Sequence, residues 1–145
     1  MKSRTSIAAT LAASLLAAAI VTGPALGKGK PPKTGAGCKP QVSLILKGTV
    51  AGTPGADSFQ MNVTRANHHG SALVSATPLT IKVNAATKIK RTGPQNSLAA
   101  LVAGDRVQVQ YRICKADFAS LTPTSFNAST TLFAKRVNAH PAHLA

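Results

Sequence analysis

The stretch SLAALVAGDRVQVQYRIC, residues 97–114, changes its hydrophobic rhythm half-way along. Leu98, Leu101 and Val102 are spaced as one helical turn spaces its buried side, whereas Val107, Val109, Tyr111 and Ile113 alternate with polar residues as a half-buried strand does. Asn96 or Ser97 is placed to cap the turn and Gly104 to end it. A short helix over 97–103 butted against a strand is therefore expected, and the elements on either side decide what it is for.

Upstream, QVSLILKGTVA (41–51) puts Val42, Leu44 and Leu46 on one side, and Gly48 permits a bulge or sharp bend before Val50. The turn residues TPGAD (53–57) follow. SFQMNVTR (58–65) then alternates strictly, with Phe59, Met61 and Val63 inward and Gln60, Asn62 and Thr64 outward, so the two runs read as a β-hairpin. After a looser connection, ANHHGSALVSAT (66–77), a third strand PLTIKVN turns Leu79, Ile81 and Val83 inward. TKIKRTG extends that strand past an irregularity at Ala85-Ala86. Downstream of residue 114 come a long polar connection (115–130) and a last strand around TLFAKRVN (131–138). Five strands with one short helix between the third and fourth is the order of a small Greek-key barrel, the OB-fold. In that all-β frame the helical turn plugs the open end of the barrel. It is a structural element and not a site.

The chain has 145 residues, and its ends lie outside this frame. Lys2 and Arg4, the uncharged apolar run of 15 residues at 7–21, the Gly23-Pro24 break and the small residues around 25–27 make a secretory signal peptide over residues 1–27. A membrane anchor is the competing reading, but the run is shorter than the roughly 18–20 residues a spanning helix needs. The expected mature chain is one domain: a flexible basic linker at 28–40, an OB-like β-barrel at 41–138 and a disordered tail at 139–145. Cys38 and Cys114, an even count in an exported chain, read as one disulfide. Neither has the paired spacing of a zinc site. Because Cys114 follows the inward Ile113, it is expected to face outward, where the linker carrying Cys38 reaches it.

Charge is lopsided. Beyond residue 27, fifteen Lys and Arg face Asp57, Asp105 and Asp117, a net charge of +12, and the chain contains no Glu. Such a balance favours anionic partners, with a self-repelling, dispersing surface as the plainer explanation.

The runs LKGTVAG, SFQMNV, LTIKVNAATKIK, LAALVAGDRVQVQ and LFAKRV resemble a bacterial family of exported small barrels known only as a domain of unknown function, family 5666. The likeness covers about 42–138 and rests on Gly48-Thr49-Val50, the Thr87–Ile89 step, the junction Leu101, Gly104, Asp105 and Val107, and the closing Ala134 and Val137. The insertion at 66–77 and the connection at 115–130 depart from the pattern. The resemblance implies export and a barrel, and it carries no catalytic residue to transfer.

Catalysis is not expected. Three Asp and no Glu make a carboxylate pair improbable, Asp57 and Asp105 read as turn residues, and no nucleophile elbow is present. A hydrolytic enzyme is the least favoured reading, and no cofactor is expected. His68-His69 and His140 with His143 are the metal-suggestive groups, yet adjacent histidines on an extended chain point opposite ways, and no metal is expected. Lys82, Lys88 and Lys90 alternate with Ile81, Val83 and Ile89, and Arg106 and Arg112 do the same on the next strand. Together these five are the candidate contacts to an anionic cell-envelope or extracellular polymer. The alternative is nucleic-acid or oligosaccharide binding through the long connection, with Phe118 and Phe126 stacking. Nucleic acid is disfavoured by export and by a barrel face carrying Gln60, Asn62, Thr64, Thr80 and Lys82 rather than aromatics. A monomer, secreted or held at the envelope or in the periplasm, is the expected form.

Overall fold

The computed structural model describes residues 29–35 and 37–142. The expected signal segment, Lys28 and the last three residues lie outside them. No helix among the described residues is long and apolar enough to cross a membrane.

The protein is mostly β. Strands β1 (Gln41–Val50), β2 (Ser58–Ala66), β3 (Leu79–Lys82), β4 (Lys88–Arg91), β5 (Arg106–Cys114) and β6 (Arg136–His140) form one sheet in the order β3-β2-β1-β5-β6-β4. All pairs are antiparallel except β4 with β6. The sheet curls into a half-barrel. Its inner side carries the alternate residues that the sequence turns inward: Leu44 and Leu46, Phe59, Met61 and Val63, Leu79 and Ile81, Val107, Val109 and Tyr111, all buried in one core. Period-two side-chain direction in strands makes this core follow directly from the sequence.

The described residues form six strands and not five, because the third expected strand breaks. At its end Asn84 builds a turn from its own side chain: Ala86 N–H donates to Asn84 Oδ1 (3.0 Å), and Asn84 N–H donates to Thr87 Oγ1 (3.0 Å). Side chains of this type compete with the ladder for backbone groups. The chain leaves β2 at one edge of the sheet and rejoins it as β4 beside β6 at the other. Ala134 N–H donates to Lys82 O (2.9 Å), Thr87 Oγ1 to Ala134 O (2.6 Å) and Lys88 N–H to Lys135 O (3.1 Å), so the two edges are stitched together there.

The expected helix over 97–103 contracts to a 3₁₀ turn at Leu98–Ala100. Leu98 and Leu101 enter the core, whereas Val102 is 56% exposed. Val102 N–H is held instead by Asp105 Oδ2 (3.0 Å), and Gly104 turns the chain with φ +89°. Ser97 makes no side-chain cap, and Asn96 Oδ1 accepts from Arg91 N–H.

The two connections that read as irregular are structured. In the first, a 3₁₀ turn at His68–Leu73 buries Leu73 and presses Gly70 onto β1. A Cβ at Gly70 would sit 2.6 Å from Leu44 Cδ1. Asn67 prolongs the hairpin by accepting from Ile45 N–H and donating to Ser43 O. In the second, a 3₁₀ turn at Asp117–Ser120 leads to helix α1 (Pro123–Ala128), begun by a reciprocal Thr122–Ser125 cap with proline in its first turn. The single short helix expected from the sequence is thus joined by three further helical pieces. The strand β6 begins at Arg136 rather than near 131 and runs on to His140, with Ala139 buried, so the domain extends past 138 into the expected tail.

Cys38 and Cys114 are bonded, with Cα atoms 5.9 Å apart. Contrary to expectation Cys114 does not face solvent: it is 6% exposed and Cys38 1%. The segment before β1 folds over the bridge, with Lys39 N–H donating to Pro32 O and Lys115 N–H to Pro40 O.

Candidate anion-binding face

The outer side of the sheet is set by register. Between Lys47 and Gly48 the β1–β2 pairing slips by one residue, so that Gly48 faces Val63 while Lys47 faces Arg65. Gly48 is required there, because a Cβ would fall 1.8 Å from Asn62 O. This bulge changes the parity of β2. Strict alternation after Phe59, Met61 and Val63 would send Arg65 inward; the extra residue, Thr64, turns Arg65 outward beside Lys47.

One row across the sheet then reads Lys90, Asn138, Gln108, Lys47, Arg65 from β4 to β2. Four interstrand steps make it about 19 Å long. The row on one side is Lys88, Arg136, Gln110 and Ile45, and on the other His140, Arg106, Thr49 and Asn62. Lys47, Arg65, Lys88, Lys90, Arg106 and Arg136 are all exposed. Where the bulge opens the surface, Lys47, Arg65, Arg106, Gln108, Asn138 and His140 border a shallow groove of about 680 Å³. Thr92 Oγ1 lies 2.8 Å from His140 Nδ1 and fixes that ring at its rim.

No carboxylate among the described residues stands in these rows. Among the described residues the single ion pair joins Arg91 and Asp105 beneath the strand junction, at 2.8 Å. The Arg91 hydrogen bond, reinforced by Val102 N–H, holds the Asp105 carboxyl below its ordinary range in spite of the desolvation that opposes it. The same contact raises Arg91. Lys47 directly opposite Arg65, and Lys88 directly opposite Arg136, are like-charged cross-strand pairs, which disfavour the folded sheet.

The sequence-nominated residues divide. Lys88, Lys90 and Arg106 lie on this face. Arg112 is exposed further along β5, opposite Ser43. Lys82 is elsewhere: on β3, its ammonium donates to the carbonyls of Ser129 and Asn127 at the end of α1, a structural use of the charge. Phe126 is no stacking platform; it is 3% exposed, edge-on to Tyr111 with centroids 5.3 Å apart. Phe118 is half-buried against His69, centroids 4.8 Å apart. Lys47, Arg65 and Arg136 stand outside the set read from the sequence, and His140 enters that reading only as a metal-suggestive group. The outward parity of Lys47 between Leu46 and Gly48 was a usable signal, but that of Arg65 was hidden by the bulge.

No group of three or more His, Cys, Asp or Glu comes together among the described residues. His68 and His69 pack near Phe118, well separated in role from His140 on β6. Comparison of the chain with protein-family models, curated proteins and solved structures finds no match.

Proposed function

We propose that this protein is an exported, non-catalytic binding module that holds a linear anionic polymer of the cell envelope or its surroundings on the outer face of its sheet. The observation that carries this is the unbalanced row Lys90–Asn138–Gln108–Lys47–Arg65 with Arg106 beside it. Two like-charged cross-strand pairs in a chain with three Asp are a cost to folding that a bound polyanion removes. The interleaved amides of Gln108, Gln110 and Asn138 supply donors and acceptors for hydroxyl or ester oxygens between the charges.

The fold reading behind this is an OB-like barrel. Taking β3 and β4 as halves of one strand broken at Asn84, the order β3-β2-β1-β5-β6-β4 has the neighbour relations of a five-strand ring with one parallel pair, which supports this reading. The likeness to the exported small barrels of family 5666 rests on the same strands. The apolar N-terminal run and the buried disulfide support action in an oxidising compartment outside the cytosol. Nucleic-acid binding through the long connection is the weaker reading, since Phe126 is built into the core.

The test is binding of the mature protein to an anionic polysaccharide and to whole envelope fractions across a salt series. Saturable binding that weakens steeply with salt is expected. Lys47→Glu with Arg106→Glu should reduce affinity by tenfold or more while leaving the unfolding midpoint unchanged or raised. Binding that persists unchanged at high salt overturns the proposal.

A further inference from the structure

A second cationic cluster stands apart from the sheet face. Lys30, Lys33, Lys39 and Lys115 border one concavity of about 620 Å³, floored by Pro31, Pro40 and Ala116. Three of these lysines come from the segment before β1 and the fourth from the residue that follows β5, and only the fold makes them neighbours. Lys39 N–H on Pro32 O bends the segment back on itself. Lys115 N–H on Pro40 O and the Cys38–Cys114 bond then fix it to β5. Among the described residues no carboxylate borders the concavity; Asp117, the nearest in sequence, lines the neighbouring depression under α1 together with Arg112.

Four exposed ammonium groups brought together without a counter-charge oppose the very conformation that the disulfide enforces. A bridge alone would serve stability with neutral flanks. The cations are also all lysine. Lysine offers a compact point charge with three rotatable donors, which meets phosphate oxygens from any direction, and the polymers compared below separate phosphate from carboxylate.

The site lies at the Cys114 end of β5, whose other end begins with Arg106 of the sheet face. Along β5 the outward cations are Arg106 and Arg112, and the exposed Lys115 follows directly after Cys114, the last residue of the strand, about 30 Å from Arg106. We infer that the Cys38–Cys114 disulfide assembles a lysine site for phosphate groups, and that one phosphate-rich polymer runs along the β1–β5 ladder from Arg106 into it. This rests on the sheet face being a polyanion site, and it adds the chemical class of the ligand and the role of the bridge.

The probe is long-chain inorganic polyphosphate, titrated against the oxidised mature protein at several salt concentrations, with a sulfated glycan and a polyuronate of matched charge as comparison ligands. Lys30→Gln, Lys33→Gln, Lys39→Gln and Lys115→Gln combined should cost tenfold or more in polyphosphate affinity and flatten the log-affinity against log-salt slope by about three to four. Because this variant keeps the bridge, its thermal midpoint should not fall. Cys38→Ser with Cys114→Ser should lose the same affinity; if that variant does not fold, the lysine variant decides. Wild-type binding lost in Lys47→Glu/Arg106→Glu but unchanged in the lysine variant overturns the lysine site and leaves the sheet face standing. Equal or tighter binding of the polyuronate overturns the phosphate assignment. Wild-type protein that binds none of the three polymers overturns the sheet-face reading and this one together.

Discussion

Two buried polar groups set the behaviour of single residues. Tyr111 is wholly buried and its hydroxyl finds no hydrogen-bond partner among the described residues, while burial pushes its ionisation far above the ordinary phenol range. An unpaired buried hydroxyl carries its desolvation cost with no return. Tyr111→Phe keeps the ring against Phe126 and should raise stability by about 1 kcal/mol, read from urea unfolding; a loss would mean that the hydroxyl is satisfied. Asp105 is the opposite case, a buried carboxylate with Arg91 and Val102 N–H as partners. Its folded-state pKa is depressed below the ordinary 3.8, so its stabilisation is present above that value and is lost as the pH falls through the depressed one. Asp105→Asn should therefore cost about 2 kcal/mol at neutral pH. The gap between wild type and variant should close in thermal unfolding below pH 3.8. A gap that is constant with pH would show that the charge is not what matters.

At the scale of elements, the connection between β5 and β6 acts as a clasp. Phe126 reaches from α1 into the core against Tyr111, and Asn127 Oδ1 accepts from Thr80 N–H (2.8 Å), satisfying an edge donor of β3 that would otherwise be free to pair with another chain. Phe126→Ala should cost about 3–4 kcal/mol through the cavity it leaves. Asn127→Ala should cost little in unfolding free energy and yet promote association, detectable by light scattering on mild heating. Equal solubility of Asn127→Ala and wild type would remove the edge-protecting role. The Asn84 turn plays a comparable part by dividing one long run into β3 and β4. The strand is sent to both sheet edges because its backbone groups are taken by Asn84 and Thr87 side chains at the bend.

For the whole molecule, the disulfide joins residues 76 apart, enclosing most of the strands in one covalent loop. In the chain-entropy account a loop of that length contributes about 4 kcal/mol. Reduction should lower the urea midpoint accordingly, and an unchanged midpoint would mean that the segment before β1 adds nothing to the fold. The same bridge ties residues 30–40 to the domain, so stability and the lysine cluster depend on one bond. Alternation and local chemistry are legible along the chain alone: Leu44, Leu46, Phe59, Met61, Val63, Val107, Val109 and Tyr111 face inward because side-chain direction has period two in any strand. The break in rhythm before Gly104-Asp105 and the even count of two cysteines are equally local or compositional signals. Neighbourhood across the sheet is not local. Arg65 joined Lys47 only because a bulge at Gly48 shifted the parity of one strand against another, and Lys82 left the basic face because helix carbonyls 47 residues away captured it. Val102 turned out to solvent because Asp105 took its amide, and Phe126 became core because α1 brought it to Tyr111. Each of these outcomes depends on which distant backbone atom lies within hydrogen-bonding or packing reach, and only the folded chain fixes that distance.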